Sequence, residues 1–129
     1  MGNLDRSIFL KEVKGTFPDL RNEINSQYGL LHLEVHVLAD FAQRAITLEN
    51  AKDVALCFRL AEKYYRDGND RLKNAIGVSF IEHLPLHNAQ WAWDMMGPIL
   101  QKAYLQLVDA GMTKSLPYVQ VRRVGSPKA

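Results

Sequence analysis

The sequence predicts an all-α protein: a single domain of about seven helices arranged as stacked antiparallel helix hairpins, with an extended C-terminal tail. Three observations predict this. Glycine and proline fall between periodic stretches, at Pro18, Gly29, Gly68, Pro85, Gly97-Pro98 and Gly111, where they open or end helices. Between these breaks, apolar residues recur three and four positions apart, the period of a helix with one buried side. The one stretch that alternates, Tyr118, Val119, Val121 and Val124, has no second strand to pair with.

The elements follow in order. A first helix from Asp5 to Gly15 is capped by Asn3 or Asp5, with Ile8, Phe9 and Val13 as its apolar stripe. Pro18 opens a second helix, Leu20, Ile24 and Tyr28 line it, and Gly29 closes it. Leu30 to Leu48 reads as a long helix. Leu31, Leu33, Val35, Val37, Leu38, Phe41, Ala42, Ala45 and Ile46 cover most of its circumference. A narrow polar stripe remains: His32, His36, Asp40, Gln43 and Thr47. Asn50 caps the next helix, which carries Val54, Leu56, Cys57, Leu60, Ala61 and Tyr64 to a turn at Asp67-Gly68-Asn69-Asp70.

That turn predicts an αα-hairpin. Gly68 suits a positive-φ helix terminus, and Asn69 suits the cap of the following helix. From Ala75 to Leu84 the second helix is apolar nearly all round, as in a buried central helix, until Pro85 stops it. At about 15 residues this helix is too short to span a bilayer. It is expected to pack against the Leu30–Leu48 helix. Asn88 then caps a short helix from Ala89 to Met96, and Pro98 opens the last one, Ile99 to Ala110.

Composition bounds the function. The chain has 129 residues, enough for one core, and 47% hydrophobic against 23% charged residues is an ordinary globular balance. Residues 1–110 carry 12 Lys and Arg against 14 Asp and Glu, a body of about −2. Residues 112–129 add Lys114, Arg122, Arg123 and Lys128 and no acid. A slightly acidic body with a basic end is not the pattern of a nucleic-acid binder, and Arg122-Arg123 is too small a cluster to make one. The N-terminus lacks a basic stretch followed by an apolar run, so no secretory leader is expected. Cys57, the only cysteine, sits between Leu56 and Phe58 as a buried thiol would in a reducing compartment. A cytoplasmic location follows as the expectation, with no membrane partner.

Two constellations bear on chemistry. His32, His36 and Asp40 lie at i, i+4 and i+8 on one helix side, a spacing able to hold a divalent metal. A metal-binding or small-molecule enzyme is one use of that stripe, and a polar seam between helices is the other. Glu82, near the end of the apolar helix, is either a general base or a structural acceptor. No phosphate loop, nucleophile motif or Cys-x-x-Cys pair accompanies them, so no cofactor and no catalytic residue is expected. The candidate partner-binding residues are the acids and aromatics near the turn and the short helix: Tyr65, Asp67, Asp70, Trp91 and Trp93. Tyr64 and Tyr65 cannot share a helix side, and neither can Trp91 and Trp93, so one of each pair should be core. Val119–Val124 could instead pair copies of the chain.

The run from Tyr64 to Asp70, followed by Ala75-Ile76-Gly77-Val78-Ser79-Phe80-Ile81-Glu82-His83-Leu84, resembles a bacterial family of small all-helical proteins of unassigned biochemistry. Phe9, Phe17-Pro18 and Gly97-Pro98-Ile99-Leu100 share the likeness, which covers most of residues 5–105. Members of that kind are often encoded near polymorphic or contact-dependent toxins. The resemblance therefore implies an immunity protein whose partner is a cognate toxin domain, a nuclease being one form that toxin could take. It carries no catalytic residues.

Overall fold

A computed structural model describes residues 2–27 and 29–119. Asp5 opens the first helix as expected. Its carboxylate accepts from the Ile8 N–H at 3.0 Å, and α1 runs over Arg6–Thr16. The buried stripe is Phe9, Leu10 and Val13, whereas Ile8 is exposed. Phe9 sets this rotation by meeting the Tyr64 ring edge-on at 5.1 Å, which turns Ile8 outward.

Pro18 opens a single 3-10 turn, Pro18–Leu20, and α2 follows as Arg21–Asn25. Leu20 and Ile24 are buried as their spacing predicts, while Tyr28 lies outside the described residues. Gly29 breaks the chain with φ +78°. The core is then built from α3 (Leu31–Thr47), α4 (Ala51–Asp67) and α5 (Asp70–Ser79), each packed on the other two. The expected pairing of the Leu30–Leu48 helix with the hairpin's second helix is therefore present. Asn50 and Asn69 cap α4 and α5, accepting from the Asp53 and Leu72 N–H groups at 3.2 and 2.9 Å. Val35, Ala39, Ala42, Val54, Cys57, Tyr64, Leu72, Ala75, Phe80 and Ile81 are wholly enclosed.

Three expectations are corrected here. Gly68 has φ −75°, so it is not a positive-φ terminus. The glycine serves close approach: a side chain there would strike the Tyr64 carbonyl and Leu72. The reason is tertiary, because residues 2–4 lie across the turn. Leu4 donates to the Asp67 carbonyl at 3.0 Å and accepts from the Asn69 N–H at 2.8 Å, forming an isolated parallel bridge to Gly68. Second, α5 ends at Ser79 rather than Leu84, and Ile81–His83 forms a 3-10 turn. Phe80, at φ −115°, departs from the regular helical φ while staying in the right-handed region, and the tighter turn seats Phe80, Ile81 and Leu84 in the core before Pro85 holds Leu84 extended. Third, Asn88 does not cap the short helix. α6 spans Gln90–Met95 with Ala89 at its cap position and no side-chain acceptor.

α7 spans Pro98–Asp109, opened by Pro98 as expected, and Gly111 follows at φ +77°. Its exposed amides are satisfied from another helix. The Glu62 carboxylate on α4 accepts from the Ile99 and Leu100 N–H groups at 3.3 and 3.0 Å. Beyond α7 the chain stays on the body. Leu116 is buried, Tyr104 donates to the Lys114 carbonyl at 3.0 Å, and Tyr118 donates to the Leu86 carbonyl at 2.5 Å. Burial pushes the Tyr118 phenol up to about 12. Arg122, Arg123, Lys128 and the rest of the alternating Val119–Val124 stretch beyond Val119 lie outside the described residues. Among the described residues there is no strand, and no helix is long and apolar enough to cross a membrane.

Candidate functional site

The hairpin places two of its predicted contact residues, Tyr65 and Asp70, on one flank. Asp70 opens α5, and Lys73 and Gly77 follow at i+3 and i+7, on the same side of the helix. Tyr65 packs over that side. Its ring faces Gly77, and the Lys73 ammonium lies 5.4 Å from the ring centroid. Asp70 is exposed, while Asp67 is engaged by Arg66. The guanidinium donates to both carboxylate oxygens, at 3.1 Å to Oδ1 and 2.9 Å to Oδ2. That pairing holds the Asp67 carboxyl below its usual range. Of the tryptophans, Trp93 is core, meeting Tyr104 edge-on at 5.8 Å, and Trp91 is half-buried on α6. The pairwise split expected from spacing holds for both Tyr64/Tyr65 and Trp91/Trp93, and it leaves Trp93 no exposed ring.

The adjoining flank carries a feature that the sequence hides. Leu30 and Leu33 are 58% and 47% exposed, although apolar surface normally turns inward. They line a groove of about 490 Å³ with Gly29, Leu31, His32, Arg71 and Asn74. Arg71 and Asn74 come from the first two turns of α5, so the groove is the seam between the hairpin and the start of α3. Leu31 is buried and Leu33 stands about 200° away from it. Spacing alone does not mark Leu33, because Val35 and Val37, also two apart on α3, are both buried.

Beside the groove the elements are tied by charge. Glu34 is 2% exposed and takes a bidentate pair of hydrogen bonds from Arg6, at 2.7 Å from Nε and 2.6 Å from Nη2. This fixes α1 to the start of α3 and holds the Arg6 guanidinium above its ordinary value. On the other side of α1, Tyr64 and Lys63 donate to Glu12 at 2.6 and 2.9 Å. The Tyr64 hydroxyl, then Lys63, holds the Glu12 carboxyl below its usual range. Burial first and Glu12 second hold the Tyr64 phenol well above its own. Burial also pushes the Cys57 thiol up to about 12.

The polar stripe of α3 is divided between partners. His32 Nδ1 lies 2.9 Å from the Ser79 hydroxyl, and His36 Nδ1 lies 3.6 Å from Asp40. The His36 and His83 rings are 6.4 Å apart. Among the described residues no three His, Cys, Asp or Glu side chains gather closely enough to hold a metal ion. Glu82 keeps one carboxylate oxygen shielded from solvent, without a hydrogen-bond partner among the described residues. Its backbone carbonyl accepts from Thr113 at 3.1 Å.

Residues 10–110 match the domain of unknown function DUF7674. The chain belongs to the DUF7674 family. The match runs from α1 to the end of α7 and so includes the hairpin, the groove and the Glu62 cap of this DUF7674 chain. No curated protein and no solved structure matches the chain.

Proposed function

We propose that this DUF7674 chain is a binding protein and not an enzyme, and that it serves as an immunity protein. In this role it seats a cognate toxin domain on the hairpin and the adjoining groove, in the cytoplasm, and blocks the surface the toxin needs. Its partner is another protein rather than nucleic acid or membrane. One observation carries the proposal: Leu30 and Leu33 stand exposed side by side in a groove whose rim is polar. An apolar centre ringed by polar groups is how protein interfaces are built, and anchors of this kind dominate binding. The resemblance of the Tyr64–Leu84 run to proteins encoded beside toxins supports the toxin as the partner. The half-exposed Tyr65 and the free Asp70 on the neighbouring flank extend the same surface.

Co-expression with the toxin domain encoded beside this chain tests the proposal. The expected result is a stoichiometric complex and restored growth. Growth arrest unchanged by the chain, with no complex on co-purification, would end it.

A further inference from the structure

We infer that the groove between α3 and α5 accepts a partner segment in which a branched apolar side chain stands next to a carboxylate. The inference rests on the immunity reading and names the chemistry of its contact. Leu30 and Leu33, the exposed pair, supply the apolar floor, and Leu31 closes its inner wall. Among the described residues, the only formally charged side chain lining the groove is Arg71. Both acids at the nearby turn are directed elsewhere. Asp67 is held by Arg66, and Asp70, about 100° around α5 from Arg71, lies on the Tyr65 side. Asn74 sits one turn beyond Arg71 on the same side and offers both an amide donor and an acceptor. An aliphatic side chain thus fills the floor while its neighbouring carboxylate meets the Arg71 guanidinium, a planar donor suited to bidentate pairing. Such a contact gives the groove a preference for anionic groups, whereas the adjoining flank carries Asp70. A toxin that is basic overall would meet it with a local acidic site.

The test measures affinity by calorimetry between the full chain and the toxin domain encoded beside it. Leu33→Asp and Arg71→Glu are compared with the wild type, and a partner variant with the facing carboxylate changed to Lys is added. Leu33 and Arg71 are exposed, so the variants should melt as the wild type does, which circular dichroism checks. Each substitution should weaken binding by about thirtyfold or more, the level of an interface hot spot. The partner's Lys variant should recover most of the Arg71→Glu loss. Wild-type binding with both variants within about threefold overturns the groove but spares the immunity reading. Tighter binding by Arg71→Glu overturns it as well, because the facing group would then be cationic. A wild-type chain that instead self-associates through Leu33 also overturns it. Absence of any wild-type complex removes the immunity reading and this inference together.

Discussion

Replacing Arg6 with Met should destabilise the fold far more than its half-exposed position suggests. The carboxylate it serves, Glu34, is 2% exposed, whereas the Arg6 side chain is 42% exposed. Removing one partner of a buried pair strands the other charge, at a penalty of about 3–5 kcal/mol. The exposed side of Arg6 lets water enter where the guanidinium was, which lowers the expected loss to about 2–3 kcal/mol. The reverse change, Glu34→Met, leaves a guanidinium that can hydrate, so about 1 kcal/mol is expected. The double variant puts two apolar side chains of similar volume in contact and should lie within about 1 kcal/mol of the wild type. The two changes are therefore strongly non-additive. Urea unfolding followed by helical circular dichroism measures all four proteins. At about 1–3 kcal/mol per molar urea, the Arg6→Met midpoint should fall by roughly 1–2 M. An Arg6→Met protein within about 0.5 kcal/mol of wild type, or simple additivity in the double variant, would refute this account of Glu34.

Three further outcomes are expected. Glu12 is held below its usual carboxylate range, so its contribution is present above the unfolded pKa and is lost as pH falls through the folded value. Tyr64 is held above its usual range, so its contribution is lost as pH rises beyond about 10. Glu12→Gln should flatten the acid limb of the stability profile and Tyr64→Phe the alkaline limb, each removing about 1 kcal/mol near neutrality. Limbs unchanged in both variants would contradict the hydrogen bond between them. Glu62→Ala uncaps α7 and should cost about 1–2 kcal/mol, or roughly 3–8 °C in thermal midpoint, with the loss reported by the Trp93–Tyr104 contact in near-ultraviolet dichroism. Cys57, wholly buried with its thiol raised to about 12, should react with a disulfide reagent at pH 8 only at the rate the protein opens. Rapid labelling of the native chain would place the thiol at the surface.

The helical plan was legible because its signals are local. Pro18, Pro98, Gly29 and Gly111 mark breaks that the structure keeps, and the caps at Asp5, Asn50 and Asn69 act on amides three residues ahead. What escaped the sequence is tertiary. The backbone of Gly68 is set by Leu4, 64 positions earlier, so local turn chemistry misjudged its φ. A glutamate in the first turn of α3 looks like a favourable charge at a helix start, and nothing within the helix says that Arg6 draws it inward. α5 stops at Ser79 because Phe80 and Ile81 must reach the core, a demand that helical periodicity does not express. The candidate site was legible in part. Adjacent aromatics divided between core and surface as their angles require, but Leu33 counts with the apolar surface of its helix simply because it is apolar, and Leu30 reads only as the helix start. Arg71 and Asn74 meet those leucines only once the hairpin has folded back on α3.

The most direct measurement of the central claim is the association of the wild-type chain with the neighbouring gene's product, proposed here as its toxin, read together with the activity of that product in the same titration. The account predicts a one-to-one complex, with activity falling in proportion to the complex formed. Heat or mobility changes absent at micromolar concentrations, with toxin activity undiminished, would contradict it.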